Sequence, residues 1–245
     1  MSYFLDKGSL GAHLPMTAII DSRGHRLLAI SMLPISSDTL VYGTDNAASS
    51  CIVKQDDPAL QLIVNEACKH LGLKMHRVAN GVDPMTGKQC GDVEIMSPVD
   101  LEGHRGLDGR YYLIDCSRLM PPLFKENALP YDKHWSFYSA MRSEFLVRYG
   151  RPLNPDAFSA FPSRLTKGKI EDTRLDREEI KVATRHFVDV HIPFVARKVL
   201  LYWVNGGREV VSFSLTKKLH LNGVNMRFLG CMISAMRRIF TPEEV

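Results

Sequence analysis

The sequence predicts an α+β fold, a mostly antiparallel sheet with one packed helix followed by a mainly helical C-terminal region. Three observations carry that expectation. Before residue 122, short runs rich in Ile, Leu, Val and Tyr are punctuated by Gly, Pro and an Asp-Gly pair. Among them lies one apolar stripe at helical spacing, Leu60, Ile63, Val64, Ala67, Cys68 and Leu71. After Pro121-Pro122 the composition shifts to longer segments of helical period. The expected organisation is a sheet-rich lobe over 1–122 and a helical lobe over 123–245, together one domain. With 245 residues, 45% of them hydrophobic, the chain can bury a core of that size.

Taken in order, residues 1–14 hold Gly8, Gly11 and His13 with few apolar neighbours and read as a loosely ordered lead-in. Met16–Asp21 and His25–Leu33 read as strands about the turn Ser22-Arg23-Gly24, with Pro34 ending the second. Thr39–Gly43 is a third, shorter strand, and the three together predict an antiparallel meander. Asp57-Pro58 opens the helix. A carboxylate there can accept from the first free N–H groups, and proline at the first turn has no N–H to leave unpaired. Gly72 closes it. Val93–Met96 is a brief strand before Pro98.

Beyond Pro122, residues 133–149 place Trp135, Tyr138, Phe145, Leu146 and Tyr149 at helical spacing, as core aromatics. Residues 150–171, with Pro152, Pro155, Pro162 and Gly168, read as a linker-like segment. A helix is expected from Asp176, its acidic first turn complementing the dipole, with Pro193 kinking or ending it. Phe194–Val204 continues as helix to Asn205-Gly-Gly207. Helices over roughly 208–221 and 225–240 close the chain.

Bulk properties narrow the function classes. No apolar run is long enough to span a bilayer, and the first residues show neither a secretory signal nor an Arg-rich transit peptide. The five cysteines are odd in number, scattered and without a Cys-x-x-Cys, which fits reduced thiols in a cytoplasmic setting and no zinc site. The net charge of +4 is uneven, since residues 151–245 carry 16 Lys+Arg against 10 Asp+Glu. A basic C-terminal half suits an acidic partner such as RNA, and suits an ordinary solvated helical surface nearly as well.

The stretch Val99–Pro122 concentrates the candidate chemistry. Two short strands are joined through Gly103, Gly106 and the turn pair Asp108-Gly109, where two successive residues are expected to take positive φ. Asp100, Asp108, Arg110, Asp115 and Arg118 crowd around that hairpin, and charged side chains are seldom buried unpaired. Asp115 ends an apolar strand within reach of Arg118 or Arg110. The arrangement is either a structural ion-pair latch or a ligand cradle. For nucleic acid, the candidate cations are Lys167, Lys169, Arg197, Lys198, Lys217, Lys218, Arg237 and Arg238.

The pattern Asp100…Gly103…Gly106…Asp108-Gly109-Arg110…Tyr112…Asp115…Arg118…Pro121-Pro122 resembles the Clu domain of the clustered mitochondria protein family. Further matches lie in Leu221–Gly230, which includes Asn225 and Arg227, and in Ala18–Ala29, so the resemblance runs over roughly residues 15 to 240. It implies a non-catalytic cytoplasmic module linked to mitochondrial distribution. The expected partners are mRNA for mitochondrial proteins, the ribosome or translation initiation factor 3, and other domains of a larger protein. It carries over motif positions only, with no catalytic residue, cofactor or metal.

Each enzyme mechanism needs its own set of residues. No Gly-x-Ser-x-Gly marks a nucleophile elbow, and no Gly-Lys-Ser/Thr ends a phosphate loop. A pseudokinase-like, nucleotide- or phosphate-binding domain is the more serious alternative. The order of parts is similar, and Asp100 with Asp115 could hold Mg²⁺ against a nucleotide. The strand Leu27–Leu33 has no lysine, however, and no His-Arg-Asp loop precedes Ile114-Asp115. A protein-interaction scaffold is the third reading.

Overall fold

A computed structural model describes residues 11–44, 52–82, 86–125, 135–159, 167–206 and 214–239. Its centre is a five-stranded sheet built from β1 (Ala12–His13), β4 (Leu40–Gly43), β5 (Lys54–Gln55), β8 (Glu102–Arg105) and β9 (Tyr111–Ile114). The order is β1-β9-β8-β4-β5. The β1–β9 pair is parallel and the others antiparallel. β2 (Thr17–Ser22) and β3 (His25–Ile30) form a separate antiparallel hairpin, as do β6 (His76–Val78) and β7 (Val93–Ile95).

Helix α1 (Pro58–His70) covers the sheet through buried Leu60, Val64, Ala67 and Cys68. Its N-cap is Asp57, whose carboxylate accepts from the Ala59 and Leu60 N–H groups at 3.0 and 3.1 Å. The same carboxylate accepts from the Tyr111 hydroxyl, which ties the start of the helix to β9. Sheet and helix meet closely where Gly103 faces Tyr42 and Leu60. A Cβ there would lie 2.8 Å from the Tyr42 Cβ and 2.9 Å from a Leu60 methyl.

The helical part follows as α2 (Trp135–Tyr138), α3 (Ser143–Tyr149), α4 (Lys167–His186), α5 (Ile192–Gly206), α6 (Leu215–Leu221) and α7 (Leu229–Ile239). One continuous apolar core runs from Tyr42 and Leu113 through Phe145 and Leu146 to Ile180, Val195, Leu219 and Met232. No helix among the described residues is long and apolar enough to cross a membrane.

Several expectations are corrected. The three-stranded meander is not formed. Among the described residues β2 and β3 pair only with each other, and β4 pairs with β5 and β8, because Pro34 and the 3-10 turn Ser37–Thr39 separate the hairpin from β4. Part of the expected lead-in is a strand, since Ala12 and His13 pair with Tyr111 and Tyr112. The single helix over 133–149 is two, because the chain between them turns back onto the double proline. Met141 N–H donates to the Pro121 carbonyl at 2.8 Å and Leu123 N–H to Ser139 at 2.9 Å.

Helix α4 begins at Lys167, inside the stretch read as linker. Pro193 does not end the helix. A π-helical turn, Phe187–His191, directly precedes α5 and loosens the backbone ladder where proline offers no N–H and crowds the preceding turn. Of the helix expected over 208–221, only Leu215–Leu221 is described, and 208–213 lies outside the described residues.

Candidate functional site

The motif hairpin turns through Gly106–Arg110. Gly109 N–H donates to the Gly106 carbonyl and Gly106 N–H to Arg110, both at 2.8 Å. Only Gly109 takes positive φ, at 78°, so the expected pair of left-handed residues is not present. Asp108 supplies the rest of the turn chemistry, accepting from the Tyr112 hydroxyl at 2.8 Å and the Arg110 N–H at 3.2 Å. Gly106 allows this closeness, for a Cβ there would fall 2.7 Å from the Tyr112 ring. Arg110 is exposed, its Nε 3.9 Å from Asp108.

Asp115 ends β9 in the left-handed region, φ 52° and ψ 49°, a conformation that Asp tolerates better than most residues. This turn leads into the 3-10 segment Cys116–Arg118 and brings Arg118 beneath the loop that precedes β8. There Arg118 Nε donates to Asp100 Oδ2 at 2.7 Å. The partner expected for Arg118 was Asp115. Asp115 is instead exposed and accepts from the Ser117 hydroxyl at 2.9 Å, because its left-handed turn directs the chain, and Arg118 with it, toward Asp100.

Arg118 is the first link of a longer buried chain that sequence reasoning missed. Its Nη2 lies 3.6 Å from Asp156, a carboxylate with 0% side-chain exposure. Asp156 Oδ2 accepts from the Val99 N–H at 2.8 Å and from His76 Nε2 at 3.1 Å. The other ring nitrogen of His76 faces the Lys74 carbonyl at 3.1 Å.

From Asp156 the backbone leads on to Asn154, whose Oδ1 accepts from the Asp156 N–H at 2.7 Å. Asn154 Nδ2 donates to Asp176 on α4 at 2.6 Å, and Lys74 Nζ reaches Asp176 and Glu179, each at 2.8 Å. Basic groups sit among acidic ones along this brace, with neutral Asn154 between Asp156 and Asp176, and it joins the sheet loops, the Asn154-Pro155-Asp156 turn and α4.

The electrostatics follow from that arrangement. Burial pushes the Asp156 carboxyl upward, but His76, Arg118 and the Val99 N–H outweigh it and hold the group below the ordinary aspartate value. Asp100 goes the other way. Its burial, together with the nearby charges of Asp156 and Asp115, outweighs the pair with Arg118 and raises it. Arg118 is raised, since burial is outweighed by Asp100 and Asp156. One oxygen each of Asp100 and Asp156 lacks a hydrogen bond within the described structure, so a single guanidinium is shared by two acids.

Asp100 therefore faces an arginine and Asp115 faces outward, and the two do not converge on a shared metal site. Among the described residues no group of three His, Cys, Asp or Glu side chains could hold an ion. A groove of about 800 Å³ borders the brace, lined in part by Lys74, Arg77, Glu94, Tyr149, Asp176 and Glu179. Of the cations that line it, Lys74 is engaged as above and Arg77 pairs with Glu94 at 3.0 Å, while Arg151 is exposed.

The second candidate region is helical. Asn225 caps the 3-10 turn Met226–Phe228, and its Oδ1 lies 3.4 Å from a donor of Arg142. Arg227 donates to the carbonyls of Tyr138 and Ala140, the latter at 2.8 Å, and so ties the break between α2 and α3 to the start of α7. Arg197 and Lys198 are exposed on α5, Lys217 is exposed and Lys218 half-buried on α6, and Arg237 and Arg238 are exposed on the last turn of α7. Lys167 and Lys169 fall on the first turn of α4, away in sequence from the others.

One titration bears on how this region is held. His191 Nε2 donates to the Asn222 carbonyl at 2.7 Å, locking the π turn ahead of α5 to the end of α6. Burial lowers the His191 pKa, and Arg148 and His186 push the same way against that hydrogen bond. A histidine held low in the fold contributes stability above its unfolded value of about 6.5 and loses it as pH falls below. Thermal melts from pH 7 to pH 5 are expected to shift downward, and His191→Gln to flatten that slope.

The family model for clustered mitochondria matches residues 2–125, half of the chain. The chain belongs to the clustered mitochondria family. It is 37% identical over 110 residues to the clustered mitochondria protein of Arabidopsis thaliana, covering 42% of this chain and 7% of that one. It is 31% identical over 119 residues to a clustered mitochondria protein homolog of Anopheles gambiae (46% and 8%). With protein clueless of Drosophila willistoni the identity is 32% over 111 residues (43% and 7%). The match thus spans less than a tenth of the length of these relatives. No solved structure matches the chain.

The clustered mitochondria match contains Lys74, His76, Asp100, Arg118 and the whole five-stranded sheet. Asn154, Asp156, Asp176 and α2–α7 lie beyond it, as does the Leu221–Gly230 stretch that carried part of the resemblance. The brace therefore fastens the family segment to the helical part of the chain.

Proposed function

We propose that this member of the clustered mitochondria family is a non-catalytic RNA-associated module, in which the ionic brace holds a basic helical surface in place. One observation carries the RNA reading. The segments Ile192–Gly206, Leu215–Leu221 and Met226–Ile239 hold Arg197, Lys198, Lys217, Lys218, Arg227, Arg237 and Arg238 and not one Asp or Glu. Solvated helices ordinarily mix both signs, as α4 does with Glu171–Arg174 and Glu178–Lys181 pairs. A surface of one sign attracts a polyanion and releases its counterions on contact.

The non-catalytic part of the reading rests on occupancy. Asp100 of the motif region and Asp156 beyond it already face Arg118, and Asp156 is shut away from any substrate. The Arabidopsis thaliana and Anopheles gambiae relatives are named for clustered mitochondria. A cytoplasmic role in mitochondrial distribution, exercised through mRNA, the ribosome or translation initiation factor 3, belongs to this proposal, as does the division into a sheet-rich part to residue 122 and a helical part after it.

Binding of a single-stranded RNA oligomer, followed by fluorescence anisotropy across a salt series, tests the proposal. With six side chains engaged, the affinity is expected to fall on the order of a hundred-fold between 50 and 200 mM salt. Lys217→Glu with Lys218→Glu should weaken binding and reduce the slope by about one to two. Binding that ignores salt would refute the electrostatic model.

A protein-interaction role has a separate observation in its favour. The β2–β3 hairpin exposes Ile19 and Leu28 on one face and Ile20 and Leu27 on the other, more apolar surface than a lone hairpin ordinarily leaves in water.

A further inference from the structure

The cations of α5 and α6 do not stand alone. Phe194, Lys198 and Tyr202 recur every four residues and so form one row along α5. The two aromatics of that row are 52% and 39% exposed, and Trp203, at the end of the helix, is 57% exposed. Exposure of this kind is unusual for three aromatics within ten residues, since such rings normally go to the core. The inward side of the same helix is filled by Val195, Ala196 and Val199 packing into the core, and the row lies on its outward side.

Each ring of the row has an ammonium beside it. Lys198 Nζ lies 5.4 Å from the centre of the Phe194 ring and Lys218 Nζ 4.2 Å from that of Tyr202. Aromatic faces interleaved with cations match a strand whose bases and phosphates alternate at the same scale. A duplex hides its bases inside the stack and offers only phosphates and groove edges to such a surface.

We infer that the Phe194–Tyr202 row of α5, with Trp203 and the lysines Lys198 and Lys218, is a stacking platform for unpaired bases, so that the ligand is single-stranded RNA and not a helix. The inference rests on the RNA reading above and narrows it. On binding, a base takes the ring face that the lysine covers, and the displaced ammonium moves to the neighbouring phosphate.

The test compares a 12-nucleotide oligouridylate with a 12-base-pair RNA duplex at low salt, using the whole chain. The single strand is expected to bind at least ten-fold more tightly. Phe194→Leu with Tyr202→Leu should lose roughly ten- to hundred-fold for the single strand and leave duplex binding within two-fold. Tyr202→Phe, which keeps the ring, should retain binding and so separate stacking from a structural role of the hydroxyl. In a Trp135→Phe background, where Trp203 is the remaining tryptophan, its emission should be quenched by the oligouridylate. Equal affinity for strand and duplex, or Trp203 emission unchanged at saturation, would overturn the platform while leaving RNA association standing. Absence of binding to either probe would bring down both, and would point to this face as a protein contact.

Discussion

Asp156→Ala is expected to cost about 3–5 kcal/mol of folding stability, read as a lowered urea midpoint, because it leaves several buried groups without their counterpart. Arg118 would keep only Asp100, His76 would lose its carboxylate at 3.1 Å, and the Val99 N–H would lose its acceptor. Asp156→Asn keeps a side-chain oxygen for the Val99 N–H, so it should cost less while still removing the charge. The pH dependence has a fixed sign. Asp156 is held below its unfolded value of about 3.8, so its contribution is present above that value and is lost as pH falls through the lowered one. The acid limb of the stability profile should therefore flatten in the Asn variant. A midpoint unchanged in Asp156→Ala would mean that the charges of the brace do not hold the sheet to the helices.

Gly43→Ala is expected to be at least as damaging, with a loss above about 3 kcal/mol or no folded protein at all. Gly43 ends β4 at φ +77°, and a Cβ there would stand 1.9 Å from the Leu101 carbonyl oxygen and 3.2 Å from that of Val99. The obstacle is backbone, which cannot swing aside as a side-chain tip can. The same loop carries Asp100, and the Thr44 N–H donates to Val99 at 3.1 Å, so the close approach of β4 is what places Asp100 over Arg118. Gly91→Ala is the control, since nothing lies within 4 Å of its added Cβ, and it should change the midpoint by less than about 0.5 kcal/mol.

The elements legible in the sequence share one property, that the residues which decide them are close together in the chain. The Ser22-Arg23-Gly24 turn sets the register of β2 against β3 over six consecutive pairs. Asp57 and Pro58 start α1 where their side chains say it should start. The Asp108-Gly109 turn joins β8 to β9 at its expected place, although Asp108 itself stays at negative φ and spends its carboxylate on Tyr112 and the Arg110 N–H.

Elements that were misread depended on partners elsewhere. The break between α2 and α3 arises because Met141 and Ser139 pair with residues beside the double proline. The early start of α4 brings Gly168 onto the helix, whereas the three prolines that argued for a linker all precede it. A regular ladder has no room for the ring of Pro193, the ground for expecting a kink or an end there, and the π turn ahead of it supplies the room.

The amino-acid sequence by itself determined the α+β class, the hairpin with its crowd of charges, the basic C-terminal helices and the family. Which charges meet was a tertiary decision. Asp100 and Arg118 lie close in sequence, and their pairing was within reach of a local reading, but the left-handed turn at Asp115 chose between two candidate acids. His76 meets Asp156 across 80 residues and Lys74 meets Asp176 across 102. No local pattern encodes such a pairing. A buried charge is tolerated only where the opposite charge is delivered to it, and that delivery is made by the packing of α4 and the Asn154–Asp156 turn against the sheet.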